Sequence, residues 1–88
     1  MDNFIGAWRQ NVVPLRRKKG FTIVGAWVVR DTDEFVWILG YDDDADGFAA
    51  ADAAYYGSDE RQALTGDEDP ASYLDDVQTR LMEPVSLD

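Results

Sequence analysis

Eighty-eight residues are enough for one core and one domain, 1–88, but a chain this short buries only about 60% of its unfolded surface, a thin margin for independent stability. The absence of cysteine excludes a disulfide framework and a thiol nucleophile, and the absence of histidine removes the commonest general base. A net charge of −10 argues against a nucleic-acid partner, whose phosphates most of this surface would repel.

The charge is unevenly spread. Residues 1–30 hold six Lys/Arg and one acidic residue, whereas 31–88 hold two Lys/Arg and seventeen acidic residues. Fourteen of the eighteen acidic residues are Asp, a composition shared by salt-adapted proteins and by ordinary acidic ones. No apolar run approaches the ~20 residues that span a bilayer, and the N-terminus has no basic region followed by an apolar one, so no membrane span is expected and the expected location is cytoplasmic.

From Asp2 or Asn3 to about Lys19 the spacing of Phe4, Ile5, Trp8, Val12 and Leu15 predicts an amphipathic helix, with Trp8 as an anchor. Asp2 or Asn3 is the expected cap, and Gly20 supplies a left-handed stop. The run Arg16, Arg17, Lys18, Lys19 lies where the helix dipole favours cations. It reads as a solvated last turn, the alternative being an anchor for a phosphate or carboxylate. Pro14 interrupts the pattern, and a kink or break is expected at 11–13.

Residues 20–41, GFTIVGAWVVRDTDEFVWILGY, read as a β-hairpin. Strict alternation puts Phe21, Ile23, Gly25, Trp27 and Val29 on one face of the first strand, and Phe35, Trp37, Leu39 and Tyr41 on one face of the second. The other faces carry Val24, Ala26, Val28, Val36 and Ile38. Both sides are apolar, so the hairpin needs cover above and below.

Next, YDDDADGF places Asp42, Asp44, Asp46 and Gly47 as in the opening of an EF-hand loop, but the twelfth position is Ala53 and the flanks are not two helices. No metal site is assigned; the expected role is a loop with Asp46 capping the following helix. That helix, 47–56, has Phe48, Ala51, Ala54 and Tyr55 near one face; Gly57 ends it and Ser58 caps a further turn. Asp69-Pro70 starts a short helix, ASYLDD. The segment 77–85, VQTRLMEPV, alternates as a last strand, with Pro84 suited to an edge.

The order helix, strand, strand, helix, short helix, strand carries motifs that resemble the NIPSNAP family: FIGAWRQNVVPLRRKKGF, VGAWVVRDTDEFVWILGY, ADAAYYGSDER, DPASYL and TRLMEPV. The resemblance implies an α+β, ferredoxin-like domain with an antiparallel sheet and helices on one face, paired into a dimeric α+β barrel. It departs from the family at its start, since a strand normally precedes the first helix and lies mid-sheet. Truncation relative to the family, a sheet lacking that strand, or a neighbouring strand closing the gap are the three options.

No G-x-S-x-G, Walker A or dinucleotide fingerprint is present, and no cofactor is expected. Two functions follow. The first is a homodimeric binding or interaction module, pairing with itself through the sheet face. The alternative is a cofactor-independent enzyme (monooxygenase, cyclase or decarboxylase type) acting on a small hydrophobic or aromatic molecule in the barrel. By superfamily analogy Trp27, Trp37, Tyr41, Tyr55 and Arg80 would line that cavity. The competing reading makes the aromatics packing residues and pairs Arg80 with Glu34 or Glu83. The non-enzymatic reading is preferred.

Overall fold

A computed structural model of the chain describes residues 1–87. It is an α+β arrangement in which one long helical rod lies across a two-stranded antiparallel sheet. The rod is built from α1 (Asp2–Ala7), a π-helical turn (Trp8–Val12) and α2 (Val13–Lys18). Pro14, in the first turn of α2, is accommodated by this wider turn: the ladder shifts register where the missing N–H and the ring clash would otherwise break it. The expected break at 11–13 is therefore a π turn at Trp8–Val12 within a continuous rod. Neither Asp2 nor Asn3 caps the rod; the N-cap position is Met1, without a side-chain hydrogen bond.

The rod ends as the sequence requires. Gly20 takes φ +92°, the Phe21 N–H donates to the Arg16 carbonyl (3.0 Å), and the Gly20 N–H donates to that of Arg17 (3.1 Å). This is a Schellman closure, and the hydrophobic contact that accompanies such a motif is here Phe21 against Arg16 itself.

The sheet pairs β1 (Thr22–Val29) with β2 (Glu34–Gly40), joined by a turn in which Asp33 sits in the left-handed region (φ 55°), a conformation Asp tolerates. The pairing is irregular. Ile23 faces Leu39 and Gly25 faces Ile38, so Val24 is an extra residue, a β-bulge. Beyond it every β1 side chain changes face relative to strict alternation. Ala26 and Val28 join Trp37 and Phe35 on the covered side, whereas Trp27 joins Val36 on the open one. The expectation that Ile23 and Trp27 share one face of the first strand is thus corrected: Ile23 is on the covered side and Trp27 on the open one.

The rod covers one side of the sheet. Phe4, Trp8, Val12 and Val13 are buried there, with Ile5, Ile23, Phe35, Trp37 and Leu74 packed around them. Edge-to-face contacts hold the ring positions: Phe4 to Phe35 at 4.9 Å, Trp8 to Phe35 at 5.0 Å and Trp8 to Trp37 at 5.4 Å. Burial of a side chain such as Phe4 or Val12 stabilises by about 1.5–3 kcal/mol.

Helix α3 (Ala45–Gly57) is capped by Asp44, not Asp46: its carboxylate accepts from the Gly47 N–H at 2.8 Å. A Cβ at Gly47 would collide with the Asp43 carboxylate, so glycine is required for this crowded loop. Ser58 caps α4 (Asp59–Gln62), accepting from the Arg61 N–H at 3.2 Å. Two 3₁₀ turns follow, Gly66–Glu68 and Pro70–Tyr73. Asp69 caps the second, which packs on α1. The expected helix ASYLDD is reduced to this single turn.

The last expected strand is not formed. Residues 77–85 form no regular element and are exposed, with no backbone hydrogen bond to another described residue, and the sheet therefore has two strands among the described residues. Alternation supplies a face but no partner, and a strand needs a neighbouring edge within hydrogen-bonding distance.

Candidate functional site

Three places in the fold carry unusual side chains: a buried arginine between the helices, the open face of the hairpin, and the space beside β2.

Arg16 is 2% exposed. It continues the row Phe4, Trp8, Val12 at four-residue spacing, so the rod geometry drives its side chain inward. One guanidinium nitrogen, Nη1, donates to Asp52 Oδ1 at 2.7 Å. The guanidinium carbon lies 3.6 Å from the Tyr55 ring centre, 4.7 Å from Phe21 and 5.2 Å from Tyr56, so aromatic faces replace water around the charge. Asp52 reaches it from α3, where it occupies the same face as Phe48 and Tyr55 at spacings of four and three. Of the basic run, Arg16 is therefore neither solvated nor poised for an external anion. Lys18 and Lys19 fulfil the surface role by pairing with Glu60 at 3.2 and 3.1 Å.

Tyr55 is 1% exposed, and its hydroxyl makes no hydrogen bond within geometric limits. Burial pushes its pKa above the ordinary tyrosine value; the Arg16 and Arg61 guanidiniums oppose this without reversing it. The phenol stays protonated at neutral pH, which rules it out as a resting general base. Arg61 in turn donates to Asp69 at 3.0 Å and lies over the Tyr56 ring. The cluster thus ties the rod to α3 and α4 through charge, but it offers no nucleophile activated by a base.

Of the five residues expected to line one cavity, Trp37, Tyr41, Tyr55 and Arg80 border the open space beside β2, and Trp27 does not. Trp37, Tyr41 and Tyr55 do gather round the Arg16–Phe21 contact: Phe21 is 4.9 Å from Tyr41 and 6.3 Å from Tyr55, and Arg16 is 6.0 Å from Trp37. Trp27 lies on the opposite face of the sheet, and Arg80 lies in the irregular tail on the far wall of that space, with no ion pair to Glu34, Glu83 or any other described residue. Arg16 and Arg61 were the charges that the sequence placed at the cluster without announcing it. The available signal was a charged residue in phase with an apolar row on each of two helices, Arg16 on one and Asp52 on the other.

The open face of the hairpin carries Thr22, Val24, Gly25, Trp27, Val29, Glu34, Val36, Ile38 and Gly40, with one charge among them. Trp27 is 53% exposed, and its indole folds back over Gly25 so closely that a Cβ there would come within 2.7 Å of the ring. Val24, Val29 and Val36 are also exposed. Together these side chains form a contiguous apolar patch on an otherwise charged surface, the kind of feature that marks an interaction site when it is large.

Beside β2 lies an open cleft of about 2060 Å³, bounded on one side by every residue of β2 and on the other by the tail from Tyr73 to Pro84. Among the described residues, no group of carboxylates is arranged to hold a metal ion, and no helix is long and apolar enough to cross a membrane. No family model, curated protein or solved structure matches the chain.

Proposed function

We propose that this chain is a small interaction module of the NIPSNAP kind, which pairs with a second copy of itself through the open face of its hairpin in the manner of a ferredoxin-like, dimeric α+β barrel. The observation that carries the reading is the uncovered face itself. One side of the sheet is packed by the rod, while the other presents Val24, Trp27, Val29 and Val36 to solvent with Glu34 as the lone charge. An antiparallel sheet that ends against water is ordinarily polar there. On a chain of net charge −10 a nearly uncharged apolar patch is where two copies approach with least repulsion. An interaction role is favoured over catalysis in the barrel because Trp27 lies on the other face of the sheet from Trp37, and the cleft that Trp37, Tyr41, Tyr55 and Arg80 border carries no nucleophile paired with a base among the described residues.

The test is self-association. Chemical crosslinking of the wild-type chain at increasing concentration should trap a dimer, and Trp27→Glu, which puts a charge at the centre of the patch, should abolish it while leaving the far-ultraviolet circular dichroism unchanged. Undiminished crosslinking in the Trp27→Glu variant would place the interface elsewhere and refute the reading.

A further inference from the structure

The open sheet face is not the only unpartnered surface. Among the described residues the outer edge of β2 has no neighbouring strand, and beyond Glu34 it lacks the devices that blunt such edges: 35–40 contain no charge and no proline, and the bulge is on β1. Across the cleft runs 77–85, which alternates in strand fashion yet pairs with nothing among the described residues; Val77, Leu81, Met82 and Val85 are each more than 60% exposed. Two stretches of backbone without a strand partner among the described residues, the outer edge of β2 and the irregular segment 77–85, therefore border one space. Its 2060 Å³ is well beyond the ~300–1,000 Å³ of a small-molecule site. An extended polypeptide is the occupant whose hydrogen-bonding groups match those on both walls.

The charges on the walls specify the occupant further. Nine carboxylates and three guanidiniums line the cleft; Arg16 and Arg61 are engaged with Asp52 and Asp69, whereas Arg80 has no ion pair among the described residues. The carboxylates cluster at the ends, with Asp33 and Glu34 at the start of β2, Asp42 to Asp44 beyond its end, and Asp75 and Asp76 at the start of the tail. The middle of β2 is Phe35 to Leu39, without a charge. A second copy of this acidic chain suits such walls poorly, since its own tail would bring Asp75, Asp76 and Glu83 against them.

We propose that the cleft between β2 and 77–85 is a seat for an extended segment of another polypeptide, apolar at alternate positions and basic at both ends, which adds to β2 as a strand and recruits 77–85 on its other side. The surface meets the self-association face along Glu34, Val36, Ile38 and Gly40, but strand addition uses the backbone edge of β2 and self-association its open-face side chains, so neither proposal requires the other.

The probe is a labelled peptide of about nine residues, the span of 77–85, with valines and threonines alternating between paired lysines. Its binding to the full chain is read by fluorescence anisotropy, and amide hydrogen exchange is followed in the same mixture. The expected result is saturable binding at low salt with slowed exchange in both β2 and 77–85. A peptide N-methylated at alternate residues, one flanked by glutamates and one with its centre replaced by glycine and proline should each bind at least about tenfold more weakly. Asp75→Lys/Asp76→Lys should weaken the lysine-flanked peptide and strengthen the glutamate-flanked one. Absence of binding, equal affinity for the N-methylated or glycine-proline peptide, or protection of β2 without 77–85 would overturn the proposal.

Discussion

The buried ion pair should respond asymmetrically to loss of its two members. Arg16 is enclosed, its side chain 3% exposed, whereas the Asp52 side chain is 35% exposed. Asp52→Ala leaves an enclosed guanidinium with only aromatic faces around it; breaking a buried pair from this side costs about 3–5 kcal/mol. Arg16→Met leaves a carboxylate that water can reach, and the flexible thioether fills the space between Phe21 and Tyr55. Its cost is the lost cation–aromatic attraction, about 2 kcal/mol for a desolvated site, partly offset by apolar burial. Asp52→Ala should therefore be the more damaging by about 1–3 kcal/mol. For 88 residues the whole stability is about 4–13 kcal/mol, so the first substitution removes a large fraction of it. Urea unfolding followed by tryptophan fluorescence measures both variants. If Arg16→Met proved as destabilising as Asp52→Ala, the cost would lie in packing, and the argument from unequal exposure would be refuted.

Other expectations are more local. Gly20→Ala forces an L-residue to φ +92° at the end of the rod and should cost about 1–2 kcal/mol in the same urea assay. Gly25→Ala should displace the Trp27 ring with a stability change below about 1 kcal/mol, since only the far end of one side chain must move; acrylamide quenching of the indole should change although the midpoint hardly does. Glu60, hydrogen-bonded by Lys19 and Lys18, has its pKa lowered to about 2 from 4.5. Its stabilisation is present above pH 4.5 and is lost as the pH falls toward 2, so the thermal midpoint of Glu60→Gln should fall less steeply than that of the wild type across this window. Tyr55 acts in the opposite sense: its raised pKa gives a contribution that is present below pH 10 and is lost as the pH climbs through the folded-state value, which Tyr55→Phe should remove.

The elements most legible in the sequence were those set by local pattern. The rod is announced by Phe4, Trp8 and Val12, its end by Gly20, and the hairpin by two apolar runs around a polar turn. What escaped was set by contacts between distant residues or by small register shifts. Trp27 was placed on the wrong face because one extra residue, Val24, inverts everything after it; the glycine that follows was a hint, since an isolated glycine within a strand pattern often marks a bulge. The basic run looked uniform because charge alone does not say which member falls in phase with the apolar row, and that phase singles out Arg16. The tail shows the limit of periodicity most plainly. Alternation in 77–85 is real, but pairing depends on an edge that the sequence does not locate.

Sedimentation equilibrium of the wild-type chain and of Trp27→Glu at about 10–100 μM is the most direct test of the proposed module. A species of twice the 9.9 kDa chain mass for the wild type, reduced to a single chain by the substitution, is the expected result. A wild-type chain that sediments as a monomer throughout this range would contradict pairing through the open face.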